Sequence, residues 1–200
     1  LKSKVGKNCL GCVNNGIDFN IFYPDVSFIK KYRDRNKRIG MLYHNYIGKG
    51  VIDGLKAFRM AKDYCHDIQL VLYGKEHPRR NEFQDQYEFY QNPSQDALRK
   101  IYSSCAIWLV PSWHEGCACV PAEAMACKCA VVSTDVGGVR DYSIPGVTCL
   151  ISEPQAPEAL ANNLKLLLSD AKRVIEMSEK GFAHIRKFSW EYATNKGCFL

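Results

Sequence analysis

The chain of 200 residues is long enough to bury one sizeable hydrophobic core and too short for two full domains. With 46% hydrophobic and 24% charged residues, its composition excludes fibrous and disordered proteins and indicates one ordinary folded domain. The net charge of +6 would suit an anionic ligand or surface. No nucleic-acid-binding motif accompanies that charge, so nucleic acid is not an expected partner.

Short apolar runs alternate with helical patterns along the chain. The basic stretch Lys30–Arg38 is interpreted as a solvated connector that precedes the first strand. The apolar runs predict strands over residues 39–43, 68–73, 87–90, 106–110, 129–133 and 147–151. Apolar residues three and four apart predict helices over 49–64, after an N-cap at Ser94, and over 121–127, 157–168, 170–187 and 190–195. This alternation is typical of an α/β fold, a Rossmann-like doubly wound parallel sheet covered on both faces.

The ten cysteines suggest a reducing compartment. Several lie inside apolar runs, where a thiol behaves as a small hydrophobe: Cys105, Cys127, Cys129 and Cys149. Cys9 and Cys12 form a Cys-x-x-Cys pair, but the cysteine spacings match no common zinc pattern and no metal is expected. No stretch approaches the roughly 18 apolar residues of a membrane-spanning helix. We therefore expect a cytoplasmic protein, with peripheral contact to anionic lipids left open.

The loop after the fourth predicted strand is the most informative segment. Residues 111–126 read PSWHEGCACVPAEAMA, with Glu115 and Glu123 eight positions apart. In parallel sheets ligands bind outside the carboxyl ends of the strands, which places this loop at the expected site. A helix that follows the loop would point amide groups toward Gly116 and Cys117, where they could bind a phosphate. Glu123 could accept hydrogen bonds from ribose hydroxyls, and burying its carboxylate without a partner would be costly.

This segment resembles the glutamate, seven residues, glutamate motif of the retaining GT-B glycosyltransferases of group 1. Further family segments appear in the same order: Asn15-Gly16-Ile17-Asp18, Lys49-Gly50, Pro111-Ser112, Thr134 to Gly138, and Phe188-Ser189-Trp190-Glu191. The resemblance covers nearly all of residues 14–193. It implies that the chain is one half of a GT-B glycosyltransferase, the C-terminal domain that binds a nucleotide diphosphate sugar. Such enzymes transfer the sugar with retention at the anomeric carbon and require no metal or other cofactor.

The resemblance also implies a role for each matching residue. Glu115 would contact the transferred sugar at the catalytic position, and Glu123 would bind the ribose. The diphosphate would be held by the Lys49 amine and by the backbone amides of Gly116, Cys117 and Ala118. His44 and Gly74, at the ends of the first two strands, complete the expected donor-binding set.

Three residues depart from the family pattern. His44 stands where arginine is usual, which predicts a weaker phosphate contact there. Ala118 stands where glycine is common, and Lys128 replaces a glycine. If Lys128 adopts a left-handed conformation, it should cost on the order of 1 kcal/mol relative to glycine. These departures leave open a second interpretation, a non-catalytic nucleotide-sugar-binding module with a degenerate site.

The predicted organisation is an entry or linker segment over residues 1–24, a donor-binding domain over 25–188 and a C-terminal helix or tail over 189–200. The acceptor, a sugar, glycan or lipid-linked molecule, would bind an N-terminal domain that these residues do not include. The isolated domain is therefore expected to bind the donor without transferring sugar. A nicotinamide-dependent oxidoreductase is a rival, because Gly48, Gly50 and Gly54 approach the dinucleotide fingerprint. The third glycine comes one residue late, however, and no acidic residue ends the second strand.

Overall fold

The computed structural model describes residues 15–31, 35–79 and 86–198. Its centre is a parallel sheet of six strands: β1 Arg38–Leu42, β2 Gln69–Gly74, β3 Tyr87–Gln91, β4 Ile107–Val110, β5 Ala130–Thr134 and β6 Cys149–Ser152. The strand order is β3-β2-β1-β4-β5-β6, and Met41 of β1 lies between Leu72 of β2 and Leu109 of β4. This is the order of a doubly wound Rossmann-like sheet, which confirms the predicted fold class.

Eight α-helices of the described residues surround the sheet: α1 Val26–Lys31, α2 Val51–Tyr64, α3 Gln95–Ser104, α4 Cys119–Ala126, α5 Val139–Tyr142, α6 Pro157–Leu168, α7 Ala171–Ile185 and α8 Trp190–Cys198. Two short 3₁₀ turns, Arg35–Lys37 and Ile47–Lys49, precede β1 and α2. The Ser94 hydroxyl caps α3 by accepting a hydrogen bond from the Ala97 amide at 3.3 Å, as predicted. No helix within the described residues is long and apolar enough to cross a bilayer.

The strands bury side chains on both faces of the sheet, because successive residues point in opposite directions. Ile107 and Leu109 face one layer, formed mainly by α2 and α6. Trp108 and Val110 face the other layer, formed mainly by α3 and α4. Burial on both faces explains why the strands are continuous apolar runs rather than alternating ones. The four cysteines predicted to be buried, Cys105, Cys127, Cys129 and Cys149, are all fully buried, and the Cys9 and Cys12 pair lies outside the described residues.

The interpretation of residues 30–38 as a solvated connector is wrong for the described part of that stretch, residues 30–31 and 35–38. Helix α1 extends to Lys31, and the Asp25 carboxylate at its start accepts hydrogen bonds from the amides of Ser27 and Phe28. The Arg38 side chain is buried within β1, where it donates to both carboxylate oxygens of Glu88 at 2.7 and 2.9 Å. A bidentate carboxylate partner on β3 makes the burial of this charge tolerable.

Lys128 is left-handed, with φ of 61°, between α4 and β5. This backbone conformation costs about 1 kcal/mol relative to glycine. The Lys128 amine donates to the Glu179 carboxylate at 2.6 Å, a half-exposed ion pair that offsets part of the cost. The departure from the family glycine is therefore tolerated by the fold, and it lies away from the predicted site.

The predicted linker and tail contact each other. The Ile17 amide donates to the Phe188 carbonyl at 2.7 Å, and Ile17 forms a β-bridge with Ser189. A side chain at Gly16 would collide with the Trp190 backbone at 2.4 Å. The two segments are thus packed together on the domain, while the proposed boundaries at residues 24 and 188 stay predictions.

Candidate functional site

The candidate site lies where the strand order changes direction. Strands β1 and β4 are neighbours at the centre of the sheet, and the chain leaves them toward opposite edges. In doubly wound sheets the loops that follow two such strands diverge and form a crevice for ligands. Here these are residues 43–50 after β1 and residues 111–118 after β4, the same loops that carry most of the predicted site residues.

Backbone contacts join the two loops. The Gly48 carbonyl accepts hydrogen bonds from the amides of Trp113 at 2.7 Å and His114 at 3.2 Å. Gly50 has φ of 62°, and a Cβ on it would lie 1.9 Å from the Pro111 carbonyl oxygen. The glycines after β1 therefore serve to bring the β4 loop close, which is a different role from the pyrophosphate contact of a dinucleotide fingerprint.

Lys49 and Glu115 meet in this crevice. The Lys49 amine donates to both carboxylate oxygens of Glu115, at 2.7 and 2.9 Å. The Ser112 hydroxyl donates to the same carboxylate at 2.7 Å and fixes its position. Both charged side chains are mostly buried, with 23% of Lys49 and 11% of Glu115 exposed, so the pair attracts more strongly than a surface ion pair. The structure thus brings together two residues that lie 66 positions apart in the sequence.

The loop before α4 presents unpaired amides. Within the described part of the chain, the amides of Gly116, Cys117 and Ala118 donate to no acceptor. The Cys119 amide is different, because it donates to the Cys117 carbonyl at 2.7 Å. With Ala118 at φ −71° and ψ 71°, this hydrogen bond closes an inverse γ-turn. We call the amides of Gly116, Cys117 and Ala118 the amide cradle. The Cys119 amide, the first of α4, is not part of it.

This turn also explains Ala118. A negative φ suits alanine as well as glycine, and the side chain is buried with 2% exposed. The substitution of the family glycine by alanine therefore causes no backbone strain here. It is not evidence for decay of the site.

The double-glycine turn after β5 supports the loop from the other side. Gly137 has φ of 56°, and a Cβ on it would lie 2.5 Å from the Glu115 carbonyl oxygen. The Thr134 hydroxyl donates to the Ser112 carbonyl at 2.5 Å. The turn needs glycine at position 137 because any side chain would push Glu115 out of place.

Glu123 is partly buried on α4 beside two tyrosines. The Tyr102 hydroxyl donates to Glu123 Oε2 at 2.9 Å, and the Tyr73 hydroxyl lies 3.2 Å from that of Tyr102. Burial raises the pKa of Glu123 above its ordinary value of 4.5, and the Tyr102 hydrogen bond opposes that rise. Its second oxygen, Oε1, accepts no hydrogen bond from the described residues. A partly buried carboxylate with one oxygen free to accept is a fitting partner for ligand hydroxyls.

Replacing Glu123 by glutamine is expected to stabilise the domain at neutral pH. The raised pKa means that the folded state holds the proton more tightly than the unfolded state does. Ionisation therefore costs stability as the pH rises from the ordinary value through the raised one. Glu123→Gln removes this cost and keeps the acceptor for Tyr102. In urea unfolding between about pH 4.5 and about pH 8, the free energy of unfolding of the variant relative to that of the wild type should increase with pH. A stability difference that stays constant over this range would contradict the assignment.

Comparison with known proteins decides the family. The family model described as "Glycosyl transferases group 1" matches residues 27–184. The chain belongs to the group 1 glycosyl transferases. It is 35% identical over 208 aligned positions to the alpha-maltose-1-phosphate synthase of Mycolicibacterium smegmatis, covering 90% of this chain and 53% of that protein. The chain spans about half the length of the curated relatives that it matches along most of its own length.

Solved glycosyltransferase structures share the fold. The sucrose-phosphate synthase of Thermosynechococcus elongatus superposes with a TM-score of 0.78 at 25% identity, covering 94% of this chain and 51% of that one. Anabaena HepE, solved in complex with UDP and glucose, superposes with a TM-score of 0.76 at 18% identity, covering 94% and 55%. The chain is therefore a glycosyltransferase domain of the GT-B class, and the predicted family is confirmed.

In this glycosyltransferase domain, His44 and Gly74 lie at the edge of the crevice. His44 accepts a hydrogen bond from the Tyr46 amide at 2.9 Å and lines a cavity of about 220 Å³ together with Arg79 and Trp113. Gly74 ends β2 beside the Tyr43 carbonyl. Neither residue contacts the Lys49 and Glu115 pair through an observed hydrogen bond, and their donor-binding roles stay predictions.

The residues that position the two glutamates are not evident from the sequence. Ser112 belongs to the matched Pro-Ser segment, but its hydrogen bond to Glu115 was not foreseen. Tyr102 lies on the helix predicted after Ser94, and its hydroxyl reaches Glu123. A tyrosine in place of phenylalanine on a buried helix face was the available signal, because a buried hydroxyl needs a partner.

A second cavity lies at the opposite edge of the sheet. It has a volume of about 850 Å³ and apolar walls from α1 and α7, with Arg35 and Lys128 beside it. Arg35 and Lys128 precede β1 and β5, so this groove lies at the amino ends of the strands. It is remote from the carboxyl ends, where the glutamates and Lys49 lie. Among the described residues, no three His, Cys, Asp or Glu side chains are grouped as they would need to be to hold a metal ion.

Proposed function

We propose that this domain holds the nucleotide diphosphate sugar of a retaining glycosyltransferase. The observation that carries the proposal is the convergence of Lys49, Glu115 and three unpaired amides at the switch point of the sheet. The family membership supports sugar transfer, and the UDP complex of the similarly folded Anabaena protein supports a nucleotide ligand. The acceptor would bind a part of the enzyme beyond these 200 residues, since the full-length relatives are about twice as long.

The diphosphate would lie between Lys49 and the amides of residues 116–118. Amide groups of a loop that leads into a helix form a fitting anion site, and the dipole of α4 adds to their potential. Lys49 brings a compact positive charge on a flexible side chain. As bond cleavage transfers negative charge to the departing diphosphate, these groups would stabilise it without a metal ion.

The ribose would lie against Glu123. Its Oε2 is held by Tyr102, which leaves Oε1 for the two hydroxyls of the sugar ring. Burial of the Glu123 carboxylate lowers the stability of the domain. This cost is consistent with a residue that serves binding rather than folding.

Glu115 would contact the transferred sugar. In the structure its carboxylate holds the Lys49 amine, so the diphosphate competes with Glu115 for the lysine. Once Lys49 turns to the phosphates, both oxygens of Glu115 can accept hydrogen bonds from sugar hydroxyls. The ion pair thus keeps each residue in position for its own part of the donor.

Nucleotide titration by calorimetry tests this proposal. UDP, GDP, ADP and NAD are compared, and the best diphosphate is compared with its 2′-deoxy form. We expect one nucleoside diphosphate to bind and the 2′-deoxy form to bind roughly tenfold or more weakly, since a hydrogen bond to a charged group contributes about 1.5–3 kcal/mol. In Glu123→Ala this discrimination should disappear. Equal binding of both forms by the wild type would refute the ribose assignment, and binding of NAD alone would refute the donor class.

A further inference from the structure

Two cysteines stand next to each other at the end of the amide cradle, Cys117 within it and Cys119 just beyond it. The Cys119 thiol donates to Cys117 Sγ, with the two sulfur atoms 3.7 Å apart. The inverse γ-turn at Ala118 brings the two residues together, since the Cys119 amide also donates to the Cys117 carbonyl. A disulfide needs its Cβ atoms about 3.5–4.5 Å apart and its sulfurs about 2.05 Å apart. The two sulfurs must therefore move closer by more than about 1 Å, which the side chains and the turn at Ala118 have to accommodate together.

Exposure distinguishes this pair from the other described thiols. Of the seven cysteines whose side chains the structure describes, four are fully buried, while Cys65, Cys117 and Cys119 are partly exposed. Cys65 ends α2 and has no thiol neighbour among these residues, because its Sγ faces the Asp67 carboxylate at 3.2 Å. Cys117 and Cys119 therefore form an accessible pair of adjacent thiols.

The two thiols differ in reactivity. Burial, and then the neighbouring Cys117, raise the pKa of Cys119 to about 11, so it is a poor first nucleophile at neutral pH. Cys117 accepts the Cys119 thiol hydrogen and lies 2.8 Å from the Tyr142 hydroxyl. Because Cys119 holds its proton more tightly than an ordinary thiol, Cys117 is the thiol assigned to react first.

We propose that Cys117 and Cys119 form a modification site that small disulfide compounds oxidise to an intramolecular disulfide. The Cys117 thiolate attacks one sulfur of oxidised glutathione, breaks its disulfide bond and forms a mixed disulfide with loss of one glutathione thiolate. Cys119 gives up its proton and attacks Cys117 Sγ, which releases the second glutathione. Two protein thiols are oxidised, one glutathione disulfide is reduced, and the two cysteine protons end on the two glutathione molecules.

Oxidation should close the donor site, a consequence that rests on the proposed function. Bringing the sulfurs from 3.7 Å to bonding distance changes the backbone around Ala118, whose amide belongs to the cradle. Cys117 must also leave the Tyr142 hydroxyl, on the helix that follows the Gly137 turn. Displacing the amides by even a fraction of an ångström weakens charge-assisted hydrogen bonds, which depend on distance and angle.

The test uses the full chain carrying Cys9→Ser and Cys12→Ser, so that the Cys-x-x-Cys pair cannot form a disulfide of its own. The protein is treated with oxidised glutathione, mapped by mass spectrometry and titrated with the nucleoside diphosphate before and after dithiothreitol. We expect loss of two hydrogens within residues 117–119, at least tenfold weaker nucleotide binding, and recovery with dithiothreitol. Cys119→Ser should bind nucleotide normally when reduced and should lose the response. Cys65→Ser, the matched control, should keep it.

Three results would overturn the proposal. The first is the absence of a disulfide between Cys117 and Cys119 under conditions that oxidise an unstructured Cys-Ala-Cys peptide. The second is a stable glutathione adduct at Cys117. The third is a disulfide that leaves nucleotide affinity unchanged. Mass mapping requires no nucleotide, so a reduced protein that binds no nucleotide would refute the proposed function while the modification site is still judged on its own evidence.

Discussion

Lys49→Ala is expected to weaken nucleoside diphosphate binding about tenfold to a hundredfold. The variant removes the Lys49 amine from the crevice at the carboxyl ends of the strands. The charge-assisted hydrogen bond that is lost contributes about 1.5–3 kcal/mol to binding. The amides of residues 116–118 remain, so binding should be reduced rather than abolished. Calorimetric titration with the best nucleotide measures the effect.

Two further variants make this prediction specific. Lys56→Ala removes an exposed lysine from α2 and should leave the affinity unchanged. Glu115→Gln should act in the opposite direction from Lys49→Ala, because it releases the Lys49 amine from its ion pair and makes it available to phosphate. The Glu115 variant should bind the bare diphosphate more tightly and lose any preference for the sugar-bearing donor. A weaker diphosphate complex in Glu115→Gln would contradict the competition inferred here.

Gly50→Ala is expected to destabilise the domain by roughly 2–5 kcal/mol. The left-handed φ of 62° costs a residue with a side chain about 1–2 kcal/mol. The new methyl group would also lie 1.9 Å from the Pro111 carbonyl oxygen, and relieving such an overlap costs about 1–3 kcal/mol. Because that carbonyl begins the β4 loop, nucleotide binding should weaken in the fraction that stays folded. Urea unfolding gives the stability change.

Gly146→Ala separates the two causes. Gly146 also has a left-handed φ, 75°, but a Cβ on it would meet nothing within 4 Å. This variant should lose only the conformational part, about 1–2 kcal/mol, and should bind nucleotide normally. If the two variants were equally destabilised, the overlap with the Pro111 carbonyl would contribute nothing to the loss of stability in Gly50→Ala.

The strands were predictable because burial on both faces leaves an unambiguous apolar run. Their limits shifted for physical reasons. Strand β1 begins at Arg38 because Glu88 neutralises it across the sheet, a partner 50 residues away that no local pattern reveals. The predicted start of β6 at residue 147 is wrong, since Val147 is exposed and its amide closes a turn onto Ile144.

Short helices escaped prediction for a different reason. Helices α1 and α5 have six and four residues, too few to establish an apolar period. The side chain of Asp25 at the start of α1 was the one local signal, as an N-cap.

The candidate site was predictable as a set of residues and not as a geometry. The family motif indicated Lys49 and Glu115 in the loops after β1 and β4 and Glu123 on the helix that follows, and their roles stay predictions. That Lys49 would hold Glu115, and that Tyr102 would hold one oxygen of Glu123, depends on how α2, α3 and α4 pack on the sheet. Which amides belong to the amide cradle likewise depends on the γ-turn at Ala118, because in that turn the Cys119 amide donates to the Cys117 carbonyl.

The central claim is that the amides of Gly116, Cys117 and Ala118 bind the donor diphosphate. Amide NMR spectra of the reduced, ¹⁵N-labelled domain, recorded during titration with the best nucleoside diphosphate, test it most directly. These three amide resonances should move most and should saturate together with the calorimetric binding curve. Unchanged resonances at all three, with the largest shifts instead along the groove between α1 and α7, would contradict it.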